Sequence, residues 1–198
     1  MGDSERSEPE EEIMEATYEA LCEHGYADLT VQRIATKLEK STAAIHYHYD
    51  TKDELLVAFL EYLLDGMDEW LKADDEDAPR ERLSSLLDSL LPEEPHDEGF
   101  TVAMTDMRAQ APHNEAFREQ FVERDAYTLD LLAAAIEDGI EEGTFREVEP
   151  RGAARSLLTI ADGGWSRYVV LDDDDALVRA RGTAREYVEG SLEATTEG

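Results

Sequence analysis

The run from Leu55 to Leu71 constrains the fold of this chain most. Leu55, Leu56, Phe59, Leu60, Leu63, Leu64, Met67, Trp70 and Leu71 recur at helical spacing, which makes one amphipathic helix of about five turns. A stripe of that length must be covered along all of it, so the helix can run from one part of the molecule into another. Thr51 followed three residues later by Glu54 reads as the capping box that opens it.

The rest of the chain repeats the theme in shorter pieces. Pro9 with Glu10, Glu11 and Glu12 suits a helix start; Ile13, Met14, Thr17, Leu21 and Cys22 form its buried stripe, and Gly25 supplies the stop. Thr30 caps a second helix in which Val31, Ile34, Ala35 and Leu38 line one face, and Ser41 or Thr42 caps a third through about His48. Pro79, Pro92, Pro95, Pro112 and Pro150 divide the remainder into helices near 79–91, 97–110, 113–142, 150–171 and 175–194. No segment alternates at period two, so the expectation is all-α, with about nine helices: a head over residues 1–51 and a body over 52–198.

Asp and Glu number 49 against 18 Lys and Arg, a formal charge of -31, which opposes contact with nucleic acid. With 41% apolar residues in periodic runs the chain nevertheless folds. Carboxylates spread over helix surfaces with few lysines fit a protein kept soluble in concentrated salt, as in a halophile. One cysteine, Cys22, excludes an internal disulfide and reads as core. Neither an export signal nor a run long enough to span a membrane is present, so a cytoplasmic protein is expected.

Within this acid background, residues 30–52 hold Arg33, Lys37, Lys40 and Lys52 against Glu39 and Asp50, a balance of +2 that leaves -33 for the rest. Thr42, Ala43 and Ala44 are small enough to let a helix backbone approach base edges in a major groove. His46, Tyr47 and His48 add ring nitrogens and a phenol, and Lys52 adds a point charge at a helix N-terminus. Such a positive island on a negative molecule is the footprint of a DNA-facing surface.

The string TVQRIATKLEKSTAAIHYHYDTKDELL over residues 30–56 resembles the TetR family of transcriptional regulators. It has a Thr-capped helix, an Ile-Ala pair, a tight turn, a recognition helix of small residues, and aromatic and His positions before a Lys that opens the fourth helix. The detailed resemblance covers about residues 10–60. It implies a homodimer on a near-palindromic DNA duplex, repression as the default, and DNA contacts at Thr30, Lys40, Ser41, Thr42, Ala43, His46, Tyr47, His48 and Lys52. Two positions depart from the family pattern. Glu39 and Lys40 replace the usual Gly and apolar residue of the turn, so either Glu39 takes a positive φ or the turn differs; His46 stands where Tyr is usual.

His46 and His48 do not suggest a metal, because residues two apart on a helix point about 200° from each other. Tyr49 reads as core with Ile45, and Tyr47 as exposed. In the body, Trp70, Phe100, Met104, Met107, His113, Phe121 and Trp165 are candidates to line a site for a small, largely apolar effector. Each also fits a plainer role, the apolar residues as core and His113 as a helix-start residue. Leu157, Ile160, Ala161, Gly164, Tyr168, Tyr187, Val188 and Leu192 offer an apolar dimer surface on the last two helices. Ser156, Asp162 and His113 have no nucleophile turn, metal-ligand spacing or phosphate loop to give them catalytic roles, so neither enzyme nor cofactor is expected.

Overall fold

The computed structural model describes residues 6–71, 77–95 and 97–193, with the backbone alone for 67–70. The Met67 and Trp70 side chains, and with Trp70 one candidate effector contact, lie outside the described residues. Among the described residues nine α-helices follow one another: α1 (Glu8–Asp28), α2 (Val31–Lys37), α3 (Thr42–His46), α4 (Lys52–Trp70), α5 (Pro79–Leu90), α6 (Glu98–Gln110), α7 (Glu115–Glu141), α8 (Pro150–Leu171) and α9 (Ala176–Tyr187). A wide π-type turn, Val188–Leu192, closes the described chain. Among the described residues the only extended pairing is an isolated antiparallel bridge between Phe145 and Glu193, so the fold is all-α as the periodicity requires.

The helix ends carry the expected chemistry. Pro9 and Pro79 sit in the first turns of α1 and α5, and Pro150 starts α8 behind Glu149, whose carboxylate accepts from the Arg151 N–H at 3.1 Å. Gly25 leaves the helical region, with φ 71 and ψ 164, and interrupts α1 one residue beyond the expected end. A further turn, Tyr26 to Asp28, follows it.

The chain forms two compact units. The first comprises residues 1–66 and 97–121, the second 67–96 and 122–198. Compactness thus divides differently from a boundary after residue 51. The first unit keeps most of α4 and also takes in α6, which packs along α1.

In the first unit most residues of the predicted stripes are buried, Ile13, Met14, Thr17 and Leu21 of α1, Ile34 and Ala35 of α2, and Leu55, Leu56, Phe59 and Leu60 of α4, while Val31 and Leu38 are half-buried. Cys22 is exposed, contrary to the core reading. It lies one position, about 100°, beyond Leu21 on the helix. α6 approaches α1 closely at Gly99, where an added Cβ would stand 2.8 Å from the Cys22 Sγ.

In the second unit Leu83, Leu87, Leu132, Ile136, Phe145 and Leu157 belong to one apolar cluster. Phe145 lies against Gly139, and its N–H donates to the Gly139 carbonyl at 2.8 Å. Gly164 lets α8 and α9 meet: a Cβ there would come within 2.7 Å of the Ala180 Cβ.

That packing corrects the expected dimer surface. Leu157, Ala161, Gly164, Val188 and Leu192 are buried within the protomer, while Ile160, Tyr168 and Tyr187 are only partly covered. A 3.6-residue apolar stripe records that a helix face is covered and says nothing of whether the cover comes from the same chain. Here the apolar cluster of the second unit, drawn from α5, α7, α8 and α9, supplies it.

Candidate nucleic-acid interface

Three short elements of the first unit build this site. α2 starts at Thr30, whose Oγ1 accepts from the Arg33 N–H at 3.2 Å. It ends in a paired-bond cap: the Lys40 N–H donates to the Ala35 carbonyl at 3.2 Å and the Glu39 N–H to that of Thr36 at 3.3 Å. This is the Schellman arrangement, which places the residue after the cap in the left-handed region and favours Gly there. Glu39 occupies it with φ 54, so of the two alternatives the sequence offers the turn keeps its form and Glu39 takes the positive φ.

Ser41, extended at φ -78 and ψ 157, then reverses the chain into α3. Ile34 and Ala35 of α2, Ile45 of α3, and Tyr49 just beyond are buried. Anchored on that side, α3 turns its other side outward. Ser41, Ala43 and His46 are exposed, Thr42 is half-buried, and Tyr47, at 86% exposure, is the most exposed large apolar side chain among the described residues. α3 spans five residues, so Tyr47 is its cap and His48 lies beyond the helix. α4 opens on the predicted pair in shifted form: Thr51 Oγ1 accepts from the Glu54 N–H at 3.1 Å, and the Glu54 carboxylate from the Asp50 N–H at 3.0 Å.

The cations counted in the sequence have partners in the fold. Lys40 pairs with Glu12 of α1, Lys37 with Glu23 and, at 4.0 Å, with Glu19. Arg33 donates to the Asp28 carbonyl. The hydrogen bond from Lys37 pushes the Glu23 pKa down, and the Lys37 pKa rises in return. Lys52 is half-buried: its ammonium donates to the Leu29 carbonyl and stands 5.4 Å from the centre of the Tyr26 ring. Desolvation pulls its pKa below the ordinary lysine value. His46 Nδ1 lies 3.3 Å from the Tyr49 carbonyl, and His48 Nδ1 lies 4.0 Å from the Glu10 carboxylate.

Glu10, Glu12, Glu19, Glu23, Tyr26 and Leu29 are therefore neighbours that sequence reasoning missed. The Lys40 and Glu12 pair is 28 residues apart, so no local pattern signals it. Among the described residues, no cluster of His, Cys, Asp or Glu is arranged to hold a metal ion.

The candidate effector residues are divided. Phe100, Met104, Met107, His113 and Phe121 belong to the first unit and Trp165 to the second. Met107 is fully buried, whereas Phe100, Met104 and Phe121 are partly covered. The Arg108 guanidinium lies 5.9 Å from the Phe121 ring centre. His113 is exposed on the turn before α7, which fits the helix-start reading and not a pocket group. Trp165 Nε1 donates to the Leu90 carbonyl at 2.8 Å, and Ser156 Oγ donates to the Gly152 carbonyl within α8 at 3.0 Å. No helix among the described residues is long and apolar enough to cross a membrane.

A short anchored helix, a capped turn and an outward recognition face define a helix-turn-helix regulator, a protein that binds DNA to control transcription. Comparison with known proteins agrees. Residues 13–59 match the family described as bacterial regulatory proteins, tetR family, and residues 79–193 match the C-terminal region of BetI-type transcriptional repressors. The HTH-type transcriptional repressor AcnR of Corynebacterium diphtheriae is 26% identical over 192 residues, 96% of this chain and 97% of that protein. A TetR transcription regulator of Haloarcula marismortui superimposes with a TM-score of 0.86 and 49% identity, over 95% of this chain and 100% of the other. The fold is shared too by a Saccharomonospora viridis regulator solved in complex with choline, with a TM-score of 0.82, 22% identity, and 96% and 100% coverage. The chain belongs to the TetR family: it is a DNA-binding transcriptional regulator and not an enzyme.

Proposed function

We propose that this regulator acts as a homodimeric repressor that reads a near-palindromic duplex through the outer face of α3. On this reading residues 1–51 bind DNA, and residues 52–198 dimerise and sense the effector. The observation that carries the proposal is the placement of Ala43 and Tyr47 on the open side of α3 while Ile45 is buried on the other. Thr42, Ala43 and Tyr47 meet base edges. Thr30 and Ser41, both exposed hydroxyls at helix starts, meet phosphates. Lys40 exchanges Glu12 for a phosphate when DNA binds, and His46 and His48 support the helix from its rim.

The dimer forms on the outward faces of α8 and α9, where Thr159, Gly163, Ser166, Val170, Val178 and Gly182 are exposed, together with the partly covered Ile160, Tyr168 and Tyr187. Open space lies over Gly163 and Gly182, which suits close approach of a second copy.

The effector is a small, largely apolar molecule, held by the partly covered Phe100, Met104 and Phe121 of the first unit. Choline in the Saccharomonospora protein favours a methylated ammonium, a compact cation that aromatic faces attract. An effector controls the operator only through unequal affinity for the two conformations. The acidic surface suits concentrated salt, where a Debye length of about 3 Å at 1 M mutes repulsion from DNA.

The test is selection of duplexes from a randomised library, followed by titration with Tyr47→Ala. The variant should bind while losing discrimination by about 1–3 kcal/mol at particular base pairs. Failure of the wild type to enrich any sequence, or unchanged selectivity in the variant, refutes the reading.

A further inference from the structure

We infer that Lys52 is a positioning residue: it fixes the helix-turn-helix against the start of α4 and is not a phosphate ligand. Lys52 is half-buried, and its ammonium donates to the carbonyl of Leu29 and faces the Tyr26 ring at 5.4 Å. Leu29 is itself buried and immediately precedes the Thr30 cap of α2. The bond therefore spans 23 residues of chain and joins the first residue of α4 to the entry of the helix-turn-helix. An ammonium withdrawn from water, with one proton on a carbonyl and an aromatic ring beside it, has given up part of the hydration and freedom that a surface phosphate contact uses.

A second contact extends the clamp. The Tyr26 N–H donates to the Asp106 carboxylate of α6 at 3.3 Å. This N–H follows the break at Gly25, so the turn carrying Tyr26 takes support from α6 as well as from α1. Asp106, Tyr26, Lys52 and Leu29 form one line from α6 to the entry of α2, within the first compact unit. Asp53 is the charged neighbour next to Lys52 on α4, and it favours the charged amine.

The inference rests on α3 being the DNA-reading helix, and the experiment separates the two claims. Amide hydrogen exchange of DNA-free protein is compared for wild type, Lys52→Met, Lys52→Arg and Asp106→Ala. Titrations across KCl use the duplex that the wild type selects from a random library. In Lys52→Met, exchange at residues 31–38 should accelerate at least ~10-fold relative to amides of the body. Operator affinity should drop ~10-fold or more, with a salt slope within about 0.3 of the wild type. Arg keeps the charge and the donor, so Lys52→Arg should restore both. Asp106→Ala should give a smaller change of the same sign, non-additive with Lys52→Met, and it serves as the test should Lys52→Met not fold. A slope lower by about one per head makes Lys52 a phosphate ligand and overturns the inference; so does unchanged exchange in Lys52→Met or Asp106→Ala. Wild type that selects no duplex would refute only the DNA reading, since the exchange measurement needs no DNA.

Discussion

Glu39 carries a strain that one substitution can measure. It holds φ 54 in the cap between α2 and α3 because the bonds from Lys40 N–H to Ala35 and from Glu39 N–H to Thr36 require a left-handed residue there. For a residue with a Cβ that conformation costs about 1–2 kcal/mol. Glycine removes the cost but loses about 0.5–1 kcal/mol more entropy on folding. Glu39→Gly should thus stabilise the protein by about 0.5–1 kcal/mol. For a chain of this size that raises Tm by about 1–4 °C. Glu39→Ala is the control, because it deletes the charge and the exposed side chain while keeping the Cβ; it should be close to neutral. The assay is urea and thermal unfolding of all three proteins at one KCl concentration and one protomer concentration, since a dimer's apparent stability depends on both. Gly and Ala variants of equal stability would refute the argument, because no Cβ penalty would then exist at position 39.

Four further outcomes follow from named contacts. Glu12→Gln should spare Lys40 the loss of its carboxylate partner when it moves to phosphate, raising operator affinity ~1.5- to 5-fold per head; unchanged affinity would mean that Lys40 does not leave Glu12 for DNA. Gly164→Val should destabilise the protomer by about 1–3 kcal/mol, because its Cβ would stand 2.7 Å from that of Ala180. Gly163→Glu meets open space within the protomer, so it should leave circular dichroism unchanged and convert dimer to monomer in light scattering, if the outward face is the interface. The Glu10 carboxylate accepts from the Ser7 N–H at 2.9 Å and from its hydroxyl at 2.6 Å, which lowers its pKa below the ordinary 4.5. A depressed carboxylate stabilises fully above its unfolded value and loses that contribution as pH falls through the lower folded one. The Ser7 amide resonance should therefore titrate below pH 4.5 in the wild type and not in Glu10→Gln.

The sequence by itself determined what is local or periodic. The helices of the described residues, the Thr30 cap, the stop at Gly25, the burial of Ile45 and Tyr49 and the exposure of Tyr47 each follow from signals within a few residues of one another. Helix periods and caps are short-range physics, as is the positive φ forced on Glu39 by the turn. Tertiary structure alone decided which surfaces meet. A stripe through Leu157 and Ala161 is apolar whether the same chain or a second copy covers it, and here the second unit's own apolar cluster does. Cys22 borders the buried stripe of α1 and points away from it. The positive island of residues 30–52 loses its isolation when α1 brings Glu12, Glu19 and Glu23 to Lys37 and Lys40. Lys52, a surface charge by its position at a helix start, turns inward because Leu29 and Tyr26 receive it. A side chain's energy depends on neighbours brought close in space, and the intervals of 28 and 23 residues that separate these partners carry no periodic trace in the sequence.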